Sequence, residues 1–407
     1  RGRDQLSGEW PRADHRHRPN PGPGDGLRPL RRLDAAIDDV GSVRAIAVLR
    51  ILLGPITLLH LRPFIADVRA GVHYADRFYE PYWDWFPEAG PDLYAGLVVA
   101  AATACATMTI GLFSRLSTGL AALFVGYNLA LSTTHFHHNR AFLLLLLTGV
   151  TLLHPGDHLS VDALLRRFRR RPHLERDPTR RATPRPVPLW PLYLLRVLVA
   201  TVYVASATSK LVDGDWWGGR VLQLRAINSR AIALSSGAPA WSIDLLSDAT
   251  FQWWFSKTAV LTEFLIGFGL LHRRTRLLAV WIAVWFHLSI EITARVQVFS
   301  WAALAALCIW VTPSERDREL IVPRQHRLGS VVTWLDWFGR FDLHRDDGQR
   351  VTLIDRASGE RPAGTCDGRA AELMTLSRLP VTFMLAAPAV AISKLAAMRP
   401  VRPFRRA

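Results

Sequence analysis

The residues with the most chemical content lie in one stretch, Tyr203–Gly219, where Lys210 is followed by Asp213, Asp215, Trp216, Trp217 and two glycines. The stretch closes an apolar run that begins near Trp190. An ammonium group therefore sits at the end of a predicted membrane helix, where an ionisable residue is a functional candidate by default. Composition sharpens this. The chain carries 50 basic residues, yet lysine occurs only at Lys210, Lys257 and Lys394. Arginine is in effect always protonated, whereas a partly desolvated lysine can release its proton. A lysine at the membrane edge of an arginine-rich protein points to an amine wanted as a base. The competing explanation is a lysine whose stem lies in hydrocarbon while its head reaches the interface.

Other polar residues fall at a comparable depth. Glu263 lies about two turns inside a later apolar segment. His287 and Glu291 are spaced i, i+4 and share a helix face, with Arg295 just beyond. His135, His137 and His138 close an earlier segment. Charged groups inside a membrane normally face a bundle interior or a water-filled cavity. A polar pocket near the extracytoplasmic side, holding an amine, carboxylates and imidazoles, is therefore expected. Otherwise these are unrelated interfacial residues with one structural His287–Glu291 contact. The histidine cluster invites a metal, but its spacing is not repeated elsewhere, and no metal ligand set is assigned.

The elements that must position these residues are membrane helices. The 407 residues are 50% hydrophobic, include 15 Trp and carry a formal net charge of +16. Mean hydropathy is +0.13. That mixture suits an all-α polytopic membrane protein with basic loops, and no nucleic-acid partner is expected because the arginine runs lie between apolar segments. Cys105, Cys308 and Cys366 show no redox or zinc spacing. Residues 1–40 read as a disordered basic arm, with no cleavable signal peptide. Eight apolar segments follow, at about Val43–Leu61, Leu93–Phe113, Thr118–Thr134, Ala141–Leu153, Trp190–Val212, Phe255–Leu271, Leu277–Thr293 and Val298–Val311. Residues 314–407 read as a small cytoplasmic region in which Leu379–Met398 is at most interfacial. With the basic arm inside, eight crossings place Arg115, the nine arginines between Leu165 and Pro188, and Arg273, Arg274 and Arg276 inside too. The expected location is the bacterial inner membrane, with both termini cytoplasmic. Arg50 and Arg196, near inner ends of segments, read as snorkelling or lipid-binding cations.

These residues carry a family resemblance. Tyr203, Ser209-Lys210-Leu211, Asp215-Trp216 and Gly218 are similar to the tyrosine, Lys-Leu, Asp-Trp and glycine signature of the vitamin K-dependent gamma-carboxylase family. Bacteria represent that family by membrane proteins with the horizontally transferred transmembrane (HTTM) domain. His138-Asn139-Arg140, with Leu159-Ser160-Val161-Asp162 after the next helix, resembles its histidine-containing turn and Ser-Val-Asp continuation. Phe286–Glu291, followed by Phe299-Ser300, resembles its late histidine helix, and Glu263 matches a recurrent acidic position. The resemblance covers about Asp39–Pro313, and the transmembrane domain is drawn at residues 41–313.

The resemblance implies a lyase that couples oxidation of a reduced quinone, vitamin K or menaquinol, to carboxylation of glutamate, with O2 and CO2 as co-substrates. It implies catalytic roles for Lys210, His138 and His287, and cofactor contacts from Asp215, Trp216, Glu263 and Glu291. The amine must be neutral to act, which burial favours and nearby carboxylates oppose. Expected partners are membrane lipid, a quinone, and a protein or small-molecule substrate on the extracytoplasmic side. The alternatives are a non-catalytic lipid- or quinone-binding or transport protein in the same cavity, and a metal-dependent lipid oxidase built on His135–His138.

Overall fold

The first long apolar run folds as helix α1, Arg44–Arg69, in which Ile46, Leu49, Leu53 and Leu61 are fully buried. Its 26 residues rise about 39 Å, enough to cross a hydrocarbon layer of about 30 Å. The helix continues past Leu61 through Pro63 and buries Phe64, so it outruns the sequence expectation. Neighbouring helices and apolar surroundings make such prolines tolerable in membrane helices. The computed structural model describes residues 39–41, 44–174, 187–293, 298–311, 317–355 and 365–396. The basic arm up to residue 38, part of the nine-arginine loop, and Arg295 lie outside the described residues.

Helix α2, Pro91–Ile110, packs along α1. A tight turn leads to α3, Ser114–Leu131, and a 3-10 turn at Thr133–His135 leads to α4, His138–Leu152. The basic helix α5, Val161–Leu174, follows. A short bridge pairs β1, Val40–Gly41, with β2, Val187–Pro188. Then come α6, Trp190–Val212, the single turn α7, Gly214–Trp217, and a helical pair, α8, Arg220–Ser235, and α9, Ala240–Ser247. Helix α10, Ala249–Leu271, returns against α6, followed by α11, Arg276–Thr293. The short α12, Phe299–Ala306, ends in a 3-10 turn at Leu307–Trp310 and packs against α1, α4 and α11. Among the described residues four helices are long and apolar enough to cross a membrane, α1, α2, α6 and α10.

Two buried arginines lock one end of this bundle, and neither snorkels. Arg50 is fully buried. Its Nη1 donates to the Met108 carbonyl at 2.5 Å and the Thr109 carbonyl at 3.2 Å, and its Nη2 to the Leu159 carbonyl at 2.7 Å. It thereby caps the C-terminus of α2, whose last carbonyls have no partner within the helix. Asp162 completes the corner by accepting from Phe113 N, Ser114 N and Ser114 Oγ at the start of α3. Burial pushes the Asp162 carboxyl up, but these hydrogen bonds outweigh it and hold the group below the ordinary carboxylate range. Arg196 does the same for α12: its Nε donates to the Ile309 carbonyl at 2.7 Å and its Nη2 to the Val311 carbonyl at 2.9 Å. The expectation of lipid-facing arginines gives way because a guanidinium offers five donors in one plane, enough to satisfy several orphan carbonyls at once.

The C-terminal region corrects the all-α expectation. Strand β3, Arg318–Pro323, leads through α13, Arg327–Leu335, to β4, Phe341–Asp346, which lies parallel to it. Strands β5, Thr352–Asp355, and β6, Thr365–Asp367, add antiparallel, giving the order β4-β3-β5-β6. Helix α14, Arg369–Leu376, closes a separate core around Leu320, Val322, Val332, Phe341 and Leu353. The strict alternation of buried and half-buried residues along β3 is the period-two signal of a strand. Helix α15, Phe383–Ala396, then packs back on α11, so the region is not detached from the membrane bundle.

Candidate functional site

Three polar residues of α6, Tyr203, Ser206 and Lys210, recur at spacings of three and four and therefore share a face. That face meets α10. The helices approach closely at Gly267, where an added Cβ would stand 2.7 Å from Val204 Cγ2 and 3.2 Å from the Ala200 carbonyl oxygen. One turn before Gly267, Glu263 projects toward the lysine. Lys210 Nζ lies 2.5 Å from Glu263 Oε1 and donates to Ser206 Oγ at 2.9 Å. The two side chains are only 19% and 5% exposed. A buried carboxylate is tolerated here because a cation and a hydroxyl, Ser206 Oγ at 3.2 Å, both meet Oε1. Glu263 Oε2 is buried and has no hydrogen-bond partner among the described residues.

The loop after α6 roofs the amine. Asp213 Oδ1 accepts from Asp215 N at 2.9 Å and Trp216 N at 3.2 Å, starting the single turn α7. This cap sets Trp216, whose ring centroid stands 5.1 Å from Lys210 Nζ, within cation–π range. Gly219 has φ +82°, and a Cβ there would fall 2.6 Å from the Gln252 backbone, so the turn can lie flat against α10 only as glycine.

Beside the ion pair sits a second couple. His287 on α11 is fully buried, and its Nε2 is 2.6 Å from the Tyr203 hydroxyl. The Phe299 ring of α12 stands 5.6 Å from the imidazole, and Phe142 of α4 stands 5.6 Å beyond it. His287 Nδ1, Glu291 Oε2, Ser300 Oγ and Asn139 Nδ2 are buried without hydrogen-bond partners among the described residues. Leaving such groups unsatisfied costs about 1–3 kcal/mol each, so each is a place where a ligand or water gains a partner.

The structure thus brings together Lys210, Glu263 and Trp216, and beside them His287. Glu291 follows His287 by one turn on α11, but the imidazole pairs with Tyr203 instead. Two expected site residues are placed elsewhere. Asp215 is 64% exposed and faces Arg220 at 3.6 Å, because the cap role belongs to Asp213. His138 is exposed at the first position of α4, while its neighbour Asn139 is buried. His137 caps that helix through Nδ1, which accepts from Asn139 N at 3.2 Å. His135 Nδ1 meets the Asn128 carbonyl at 3.2 Å, and its ring packs on Phe64 and Tyr74. Burial above all, with the Arg140 charge adding to it, holds the His135 imidazole below its ordinary range despite the Asn128 hydrogen bond. His135 and His137 are spent on shaping the turn, and no group of three or more metal-ligating side chains occurs among the described residues.

Sequence reasoning missed Ser206, Asp213 and the Tyr203–His287 couple. Ser206 was visible as the i−4 neighbour of Lys210, and Asp213 as a capping residue before a short turn. A cleft of about 410 Å³ lies elsewhere, between α3 and α4, lined by Phe86, Leu123, Tyr127 and Leu144. It is apolar and has none of the charged groups.

No solved structure matches the chain. The HTTM domain family matches residues 42–314, the stretch that holds α1 to α12 and every residue of the Lys210 cluster. On that match the chain belongs to the HTTM domain family, which is associated with vitamin K-dependent carboxylase-like membrane proteins.

Proposed function

We propose that this protein crosses the bacterial inner membrane eight times, through α1, α2, α3, α4, α6, α10, α11 and α12, and uses Lys210 as a base in quinol- and oxygen-dependent chemistry. The positive-inside bias supports the topology, with both termini cytoplasmic and a polar pocket opening toward the extracytoplasmic side. A cysteine at Ser235 should react with an impermeant thiol reagent in whole cells and one at Arg171 should not. The reverse pattern overturns the orientation.

The observation that carries the chemistry is the hydrogen bond of 2.5 Å between Lys210 Nζ and Glu263 Oε1. Across it a proton can pass from the ammonium to the carboxylate, leaving a neutral amine beside a neutral acid. The net charge of the pair is unchanged, which matters in a medium where separated charges are costly. The neutral amine can then accept a proton from a ligand hydroxyl: the ligand O–H bond breaks, an N–H bond forms, and the ligand keeps the electron pair. Ser206 fixes the direction of the amine, and Trp216 covers it and excludes water. Tyr203 holds His287 in one orientation, leaving Nδ1 for a ligand oxygen.

The unpartnered Glu263 Oε2, His287 Nδ1 and Ser300 Oγ fit a small ring carrying oxygen substituents. Reduced vitamin K or menaquinol, when bound, would supply with O2 the oxidation that drives lyase-type carboxylation by CO2, glutamate being the substrate the resemblance implies. The test supplies reduced quinone and O2 to the protein in lipid nanodiscs and follows quinone epoxide. Wild type should form it, and Lys210→Arg should not.

A second reading rests on the same ion pair. A lysine already satisfied by a carboxylate and a hydroxyl suits a static site, as in a non-catalytic lipid- or quinone-binding or transport protein. Quinone binding without turnover in wild type would favour it.

A further inference from the structure

The Lys210 site does not use helix α15. Its residues Phe383–Ser393 carry no charged side chain, and the helix divides into two faces. Ala386, Ala387, Val390 and Ala391 are buried. On the other face Leu385 is 87% and Ile392 65% exposed, seven residues apart and so in line along the helix. An exposed apolar stripe on a helix that already has a packed face needs a second environment.

Its position identifies that environment. Trp281 of α11 donates its indole N–H to the Met384 carbonyl at 2.9 Å. One turn further along α11, Trp285 is 51% exposed, and its ring centroid is 6.2 Å from that of Trp281. The outward face of α15 is therefore continuous with the outward face of a helix assigned above to the membrane. Basic residues follow the apolar run in sequence: Lys394, Arg399 and Arg402. Cations at the end of an apolar helix suit anionic phospholipid headgroups. Eleven uncharged residues rise about 17 Å, the depth of about one leaflet, and unlike the short α12, which is packed against α1, α4 and α11, α15 leaves one whole face open.

We propose that α15 is embedded in one leaflet of the bilayer beside α11, its Leu385–Ile392 face against acyl chains. It would hold the sheet of β3–β6 on the membrane surface at the end marked by the arginine turn His272–Arg276. The assignment rests on the span proposed for α11, and the experiment separates the two.

Nitroxide labels are placed one at a time at Leu385→Cys, Ile392→Cys, Trp285→Cys and Trp334→Cys of the full chain, with the unsubstituted protein as labelling blank. The variants are reconstituted in phosphatidylcholine–phosphatidylglycerol vesicles. Relaxation by oxygen, which concentrates in hydrocarbon, is compared with relaxation by a water-soluble nickel chelate. Labels at Leu385, Ile392 and Trp285 should be relaxed more by oxygen, and the label at Trp334, 80% exposed on the sheet domain, more by the chelate. Chelate dominance at Leu385 and Ile392 with oxygen dominance at Trp285 overturns the embedded helix alone. Chelate dominance at all four positions overturns the α11 span and the embedded helix together. Spin–spin broadening at Leu385 that vanishes on dilution with unlabelled protein would make a second copy the occupant and would also overturn the proposal.

Discussion

Arg50 and Lys210 are both cations withdrawn into the helical bundle, but their partners differ in kind. The Arg50 guanidinium donates to three backbone carbonyls, those of Met108, Thr109 and Leu159. The Lys210 ammonium meets two side chains, Ser206 Oγ and Glu263 Oε1. A carbonyl cannot take a proton, and a guanidinium does not give one up, so the first arrangement can only hold shape. A carboxylate can take a proton and an amine can give one, so the second can do chemistry as well as hold shape. A buried cation is thus not in itself a sign of catalysis, because its acceptors decide what it can do.

Reciprocal exchange of the two residue types separates these roles most clearly. At Lys210, arginine preserves charge and length but removes the base. General-base contributions of about 10²–10⁴ in rate predict loss of turnover by that factor in Lys210→Arg, with quinone binding and detergent stability retained. Turnover equal to wild type would remove Lys210 as the base.

At Arg50 the exchange should act on the fold. Arg50→Lys replaces a planar fork by a point charge that cannot serve three carbonyls together. Arg50→Leu removes every donor, at a cost of about 3 kcal/mol or more from carbonyls left unsatisfied. Both variants should show lowered thermal midpoints in detergent, Arg50→Leu the more. Undiminished stability of Arg50→Leu would refute the capping role.

Asp162 offers a smaller effect with a pH signature. Its folded-state pKa is depressed, so its contribution is fully present above the unfolded value of about 3.9 and is lost as pH falls through the folded value. Asp162→Asn should cost about 0.5–2 kcal/mol at neutral pH, as lost helix caps do. The gap to wild type should close on acidification below about pH 4. A gap that does not depend on pH would mean that the charge is irrelevant.

The smallest effect is expected at Tyr203. Tyr203→Phe removes the hydrogen bond to His287 at a cost of about 1 kcal/mol. Turnover should fall by less than for Lys210→Arg and the fold should persist. A loss as large as that of Lys210→Arg would give Tyr203 a direct part in the chemistry.

Much of the site was legible because a helix repeats every 3.6 residues. That period put His287 and Glu291 on one face; it equally aligns Ser206 with Lys210, which the reading of the sequence passed over. The Ser-Val-Asp motif was visible too, but its work was not: Asp162 reaches back across 48 residues to cap α3. The same limit applies to His138, whose exposure depends on where α4 begins. His137, with its ring nitrogen on Asn139 N, takes the cap position and turns His138 outward while Asn139 turns in. The four-stranded sheet was missed because its strands are three to six residues long, too short to outweigh the charged sequence around them.

Composition and local period set the apolar segments, the arginine-rich connections between them and the polar residues each segment carries. Which of those residues meet is a matter of packing between segments. Lys210 finds Glu263 across 53 residues, Tyr203 finds His287 across 84, and Arg196 finds Ile309 across 113. Such pairings follow from how helices rotate and approach one another, as at Gly267, and from the demand that each buried donor find an acceptor. Neither is written in any single segment.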